Sequence, residues 1–434
     1  MSIGSTPPAR RSGPSRLARL SSLGASVVLG LALGLTPGLP TPAAGAPSLG
    51  PAAATDPGPD GDPRTTITRA YLAAYPDLTP DQAGAAAALQ ARIGPLKAAL
   101  TADPDHFAGG WIDPYHGVVH AAVTSPAAAR QAAALADQFG LPLRTHLVTH
   151  SLAELLQLAD QLRAGPVGQA AGDQIGLDLR TNQVVVAVPA TALPQLSRAH
   201  LPPAVRLETA AAPAVEPDVC HSRRDCDDSL RAGLVLRRDG ATFCSAGFTA
   251  TDSKGYHWLL TAGHCAGLGQ TWSTGTTQQT VIGPMTDAID SGPVDAGAIR
   301  IDHTGYVDQV GRIYMHNDPG RWIKVDGAVR SMADIWEGET VCLSARYTDP
   351  TAPTNPCGVI TAVSDPQVRG MVKVQGYDAC NGDSGGGWYL LTGDRQRHAY
   401  GLHSRSSSGC NAAEATSWFS PLPSFWTGLT YWLG

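Results

Sequence analysis

The spacing of hydrophobic positions changes several times along the chain, and each change marks a different kind of segment. An apolar run from Leu20 to Leu35 follows Arg10, Arg11, Arg16 and Arg19 and precedes Pro37 and the small residues Ala43 and Ala46. That order reads as a secretory signal peptide over 1–46, with cleavage at 43–46, and so as a secreted, extracellular protein. The run is shorter than the roughly 20 apolar residues of a membrane span and is diluted with Gly and Ser, so no stable membrane anchor is expected. Residues 47–63 have no periodicity and are rich in Pro, Ala, Gly and Asp, a flexible lead-in.

Helical patterns then appear within 64–210. Thr79-Pro80-Asp81 supplies an N-cap and a first-turn proline ahead of an Ala/Leu-rich run to about Leu100. A second helix is expected over about 126–139, and Ser151-Leu152-Ala153-Glu154 is a capping box opening a third that Gly165-Pro166 ends. Between them lie two similar pieces, Phe107 to Val123 and Ile175 to Val188. In each, an apolar strand ending in Asp113 or Asp178 meets a polar turn and a Val-rich strand, which predicts a β-hairpin. The segment reads as an α+β unit, and the likeness of the two pieces points to internal duplication. Residues 211–219 read as an exposed linker. From Cys220 to 434 the pattern becomes short Val/Ile/Leu/Thr-rich strands separated by Gly, Asp and Asn turns, the signature of a mainly β domain, sandwich or barrel.

Composition sharpens this division. With 434 residues, 48 Gly and 34 Pro, the chain calls for more than one turn-rich unit. A net charge of −6, without a Lys/Arg block after the leader, gives no reason to expect nucleic acid as a partner. All eight cysteines (220, 226, 244, 265, 342, 357, 380 and 410) fall in the second half. An even set in a loop-rich exported segment reads as disulfides; no CxxC pair or zinc-like Cys/His spacing supports metal. His116/His120 and His146/His150 are each four apart, but no acidic residue completes either set, and they are read as surface or hairpin histidines. Neither a metal nor a cofactor is expected.

The chemistry gathers in three places. Gly382-Asp383-Ser384-Gly385-Gly386 frames a serine with glycines that let the backbone N–H groups of Gly382 and Ser384 converge on an oxyanion. Trp258-Leu-Leu-Thr-Ala-Gly-His264-Cys265 delivers a histidine at the end of an apolar strand, a candidate base. Asp295 opens the alternating strand through Ile299 and Ile301 and is the preferred orienting carboxylate over Asp287, Asp290 and Asp302.

Those motifs, in the order His, Asp, Ser, resemble the chymotrypsin family, especially its bacterial streptogrisin-like and α-lytic-like branch, over about 230–434. The resemblance implies two six-stranded antiparallel β-barrels with the triad at their junction. It implies a monomeric serine endopeptidase acting on protein or peptide substrates. It pairs Cys244 with Cys265, Cys342 with Cys357 and Cys380 with Cys410, leaving Cys220 with Cys226. The first half is similar to the propeptides of that branch, which assist folding of the protease and inhibit it until cleaved, consistent with kinetic stability. Asp378 stands where trypsin-like relatives carry the pocket carboxylate for Arg or Lys, with Ser404 and Ser406 in the pocket wall and Arg405 as a rival neutralising partner. Leu343 replaces the arginine that relatives pair with the residue equivalent to Asp383, leaving Arg346 or a freed amino terminus as substitutes. No Ile-Val-Gly-Gly segment is present, and processing is expected within 205–220. Two rival readings remain: an esterase using a Gly-x-Ser-x-Gly elbow, disfavoured by chain order, and an inactive protease-like binding protein.

Overall fold

The computed structural model describes residues 62–171, 174–196, 201–210, 216–217, 230–238, 241–265, 267–274, 280–302, 311–314, 322–346, 355–392, 396–407, 415–425 and 430–431. The signal peptide, nearly all of the lead-in, most of the linker, and Cys220, Cys226 and Cys410 lie outside the described residues.

Local signals set the helices of the first part. Asp62 caps α1 (Pro63–Ala74) by accepting from Thr65 N, and Thr79 and Gln82 form a capping box on α2 (Pro80–Gln90). The single helix expected to run to Leu100 is two helices. Pro95 lacks an N–H and cannot continue a preceding turn, so it opens α3 (Gly94–Thr101) instead. Ser125 caps α4 (Pro126–Gln138), and the Ser151/Glu154 capping box opens α5 (Leu152–Ala164), which Gly165 separates from α6 (Pro166–Ala171).

The expected hairpins are β1 (Phe107–Asp113) with β2 (Val118–Val123), and β4 (Ile175–Asp178) with β5 (Gln183–Val188). Their turns match atom for atom. Asp113 Oδ1 accepts from the N–H groups two and three residues on, at 3.0 and 3.1 Å, and Asp178 Oδ1 does the same, at 3.1 Å each. Four residues after each aspartate the backbone is left-handed, at Gly117 (φ 62°) and Asn182 (φ 56°). Each hairpin also gains a parallel third strand that the sequence pattern did not reveal, β3 (Leu143–Leu147) and β6 (Val205–Thr209); a four-residue helix α7 (Leu193–Leu196) precedes β6. Exposed, mixed residues such as Arg144, Thr145 and His146 hide β3 from a periodicity argument.

After the two-residue strand β7 (Glu216–Pro217), two barrels follow. The first comprises β8 (Val235–Arg238), β9 (Ala241–Ser245), β10 (Thr249–Thr251), β11 (His257–Thr261), β12 (Thr271–Thr274), β13 (Thr280–Ser291) and β14 (Val294–Arg300), in the order β10-β11-β14-β13-β12-β8-β9. Because β9 and β10 are consecutive lengths either side of 246–248, this ring is six strands around Leu236, Leu259, Trp272, Ile282 and Ile299. A hairpin of β15 (Arg312–Tyr314) and β16 (Trp322–Lys324) and the short β17 (Gly327–Ala328) lead onward.

The second barrel is β18 (Thr340–Ser344), β19 (Cys357–Asp365), β20 (Met371–Gln375), β21 (Gly387–Leu391), β22 (Arg397–Ser406) and β23 (Thr416–Pro421). Its order β22-β21-β18-β19-β20-β23 closes through a β22–β23 pairing. Here Val341, Val374, Trp388, Leu402 and Phe419 fill the interior. The final strand, β24 (Thr430–Tyr431), adds to β10.

Residues 56–434 form one compact unit. One apolar cluster runs without a break from Leu96, Phe107 and Ile112 of the first part to Trp336, Val341 and Tyr400 of the barrels. The contact is also polar: Ile112 N donates to Glu337 O at 2.9 Å, and Gln90 Oε1 accepts from Thr340 N at 2.7 Å. No described helix is long and apolar enough to cross a membrane.

Candidate active site

The end of β11 turns through a short 3-10 segment, Gly263–Cys265, that carries His264. Only glycine fits at 263, since a Cβ there would stand 2.0 Å from Ile289 O. A disulfide between Cys244 and Cys265 holds the turn to β9, and a second joins Cys342 to Cys357. Cys380 is also disulfide-bonded. Cys244 and Cys265 lie beside His264, but their sulfurs are joined to each other, so the three do not form a metal set.

Asp295, fully buried near the start of β14, faces that turn. Its Oδ1 accepts from His264 N at 2.8 Å, and its Oδ2 accepts from His264 Nδ1 at 2.7 Å and from the Ser404 hydroxyl. Burial alone would raise this carboxyl's pKa. The charge and hydrogen bonds of His264, with Ser404, outweigh burial and hold it well below the usual carboxylate range. Ser420 accepts from Asp295 N at 3.0 Å and donates to Pro293 O, fixing the backbone there.

Ser384 Oγ lies 2.9 Å from His264 Nε2. With the Nδ1 proton given to Asp295, Nε2 presents its lone pair to the serine hydroxyl. The turn around Ser384 is left-handed at Gly382 (φ 103°) and Gly385 (φ 85°). A side chain at Gly385 would also meet Thr261 Oγ1 at 2.1 Å and Ser245 O at 2.6 Å. Ser245, which the sequence did not single out, ties the two barrels here: its hydroxyl donates to Gly382 O, its amide donates to Ser384 O, and its Oγ accepts from Arg346 N.

The structure thus brings His264, Asp295 and Ser384 together. Of the competing aspartates, Asp290 sits opposite Asp295 in the β13–β14 register and pairs with Arg369 at 2.6 Å, while Asp302 pairs with Arg300. Ser404, expected in the pocket wall, places its hydroxyl on Asp295. Asp378 is 5% exposed and accepts from Ser407 Oγ at 3.4 Å; Ser406, which precedes Ser407 in the chain, is buried. Arg405, the expected rival partner of Asp378, reaches Asp290 at 3.6 Å. Asp383 is fully buried and accepts from Cys380 N at 2.8 Å. Ser384 too is fully buried; β7 runs antiparallel to β22, with Pro217 and Glu216 as the register partners of Arg405 and Ser406.

Burial pushes the His264 imidazole down, but the charge and hydrogen bond of Asp295 outweigh it and leave the pKa above its ordinary value, with Arg405 lowering and Asp290 raising it. A histidine acting as a base must be neutral, so with His264 in that role activity would be lost as pH falls through this pKa, and a raised value would put that loss above the ordinary histidine value of about 6.5. Asp290→Asn removes a charge that favours the imidazolium and is expected to shift the acid limb of kcat/KM to lower pH. A limb that stays put or moves upward contradicts this electrostatic assignment.

No family model matches the chain. It is 30% identical over 323 residues to Serine protease 1 of Streptomyces fradiae, covering 73% of this chain and 80% of that protein. It is also 30% identical over 195 residues to Serine protease 2 of the same organism, covering 43% of this chain and 100% of that one. Among solved structures, Nocardiopsis protease is 24% identical with TM-score 0.33, covering 45% of this chain and 93% of that one. Thermobifida fusca protease A is 23% identical with TM-score 0.35, covering 48% and 100%. The chain belongs to the chymotrypsin-like serine proteases, in the bacterial streptogrisin and α-lytic branch, and is a serine endopeptidase.

Proposed function

We propose that this serine endopeptidase works through His264 as general base, Asp295 as its orienting carboxylate and Ser384 as nucleophile, with the N–H groups of Gly382 and Ser384 as the oxyanion hole. The observation carrying this reading is His264 placed between Asp295 Oδ2 at 2.7 Å and Ser384 Oγ at 2.9 Å. Attack by Ser384 Oγ on a peptide carbonyl passes its proton to Nε2. The imidazolium formed is stabilised by Asp295 and then protonates the leaving amine, and water releases the acyl group by the same relay in reverse.

The residues before the linker act as a propeptide of a secreted precursor. The likeness to Serine protease 1 is longer than 220–434 can hold, so it extends into the first half. Pairing of β7 with Arg405 and Ser406 supports a self-restrained precursor, because the segment runs from Ser406 toward Ser404, whose hydroxyl is on Asp295. Processing belongs after β6, which is hydrogen-bonded along its length to β5.

Asp378 favours Arg or Lys before the scissile bond, as a buried carboxylate that accepts from Ser407. A broader pocket has its own support: no Lys or Arg stands between Leu207 and Ser222, so self-processing in the linker must use another residue.

The test compares hydrolysis of peptides with Arg, Lys, Phe or Ala before the bond by the processed protein and its Ser384→Ala variant. Ser384→Ala is expected to lower kcat by about 10⁶-fold. Peptide cleavage persisting in that variant, or its absence from the fully processed wild type, removes the triad reading. Arg/Lys preference that survives Asp378→Ala removes Asp378 from the pocket.

A further inference from the structure

Helix α3 carries a single lysine, Lys97, and its ammonium leaves the first part to enter the barrels. It lies 2.5 Å from Glu339 Oε1 and 3.0 Å from the Tyr400 hydroxyl oxygen. It also stands 5.7 Å from the ring centroid of Trp336, within cation–π range, while toward Tyr400 it sits at the hydroxyl edge of the ring, 5.5 Å from the centroid. Both charges are nearly out of water, with side chains 12% and 2% exposed.

The receiving groups are held by their own neighbours. Glu339 Oε2 accepts from Trp336 N at 3.0 Å and from Tyr400 OH at 2.9 Å, which turns Oε1 toward Lys97. Trp336 Nε1 donates to Ala333 O at 2.9 Å and fixes the indole. Every one of these donors and acceptors follows the linker in sequence, so the arrangement does not need Lys97 to set its geometry. One directed carboxylate oxygen beside a phenol oxygen and an indole ring suits a compact ammonium, whereas a guanidinium calls for a planar, bidentate acceptor.

We propose that Trp336, Glu339 and Tyr400 form a preorganised ammonium-binding site, filled by Lys97 in the whole chain and, after processing, available to a lysine side chain of another polypeptide. The second occupant rests on the propeptide reading given above; the site itself does not. A protease bearing such a site away from Ser384 would hold lysine-rich substrates or inhibitors by a point outside its cleft.

The test uses the full chain kept unprocessed by Ser384→Ala. Lys97→Ala removes the stem and ammonium, leaving room for n-propylammonium. That cation is expected to raise the melting temperature of Lys97→Ala by roughly 2 °C or more over the same concentration of sodium chloride. No such rise is expected with Lys97 present, in Lys97→Met, or when Glu339→Gln is added. If Lys97→Ala does not fold alone, recovery of folded chain in n-propylammonium gives the same reading. An equal response to n-propanol, or one that survives Glu339→Gln, overturns the site. In the processed protease, a peptide of residues 94–101 is expected to bind and its Lys97→Met version to bind at least about tenfold more weakly. Equal binding or none, beside a positive rescue, overturns the second occupant while leaving the site and the propeptide reading separately judged.

Discussion

Asp295→Asn is expected to lower kcat by about 10⁴-fold while leaving the fold in place. The carboxylate accepts three hydrogen bonds, two from His264 and one from Ser404, and donates none. An amide is nearly the same size but carries two protons on one side. Wherever its NH2 faces His264 Nδ1, the ring must accept there and hold its proton on Nε2, pointing at Ser384 Oγ. That is the tautomer that cannot take the serine proton. Reversing the amide sets the NH2 against the His264 backbone N–H, donor against donor. Neither orientation supplies the negative charge that stabilises the imidazolium. The measurement is kcat on a peptide substrate, with processing supplied by an added protease so that loss of self-cleavage and loss of turnover are read apart. Unchanged melting with a kcat reduced less than tenfold would remove Asp295 from the relay.

That prediction rests on residues legible in the sequence, and the reason is physical. His264 and Ser384 are flanked by residues that backbone geometry demands: Gly263 against Ile289 O, Gly385 against Thr261 and Ser245 with a left-handed φ. Such needs leave Gly-rich motifs that can be recognised without a structure. Asp295 was legible through the alternation of β14, whose register sets it beside the histidine turn. Ser404 and Ser420 were not legible as its partners, since a serine in a strand carries no mark of what its hydroxyl meets. The two Asp-led hairpins could be read from turn chemistry, but β3 and β6 could not. A parallel strand joined through a helix has no turn signature, and the residues of β3 are largely exposed. The break between α2 and α3 was written in Gly94-Pro95 and outweighed in reading by the apolar run around it. Least legible was the contact between the halves. Lys97 stands 242 residues from Glu339, Gly110 is similarly remote from Trp336, and nothing local distinguishes a glycine that spares a tryptophan from one that makes a turn.

Gly110→Val should reduce the yield of active protease from the full chain by tenfold or more, without changing kcat/KM of the molecules that mature. Gly110 lies in β1 opposite Ala121, and its φ is not in the left-handed region, so valine suits the strand itself. The obstacle is across the contact. A Cβ at 110 would stand 2.8 Å from Cε2 and 2.9 Å from Cδ2 and Cζ2 of Trp336. That indole cannot yield easily, because it is fully buried, stacked on Phe107 and hydrogen-bonded through Nε1 to Ala333 O. Overpacking of this kind costs about 1–3 kcal/mol, and 1.4 kcal/mol is already a tenfold change in an equilibrium. The cost falls on docking of the first part against the barrels and spares the Ser384 site. Gly84→Ala, at a helical position where an added Cβ meets nothing within 4 Å, is the matched control and should leave the yield unchanged. Active protease appearing at the normal level from Gly110→Val would mean that the barrels mature without β1 docked on Trp336, and would count against the proposal that the first part is a propeptide that aids folding.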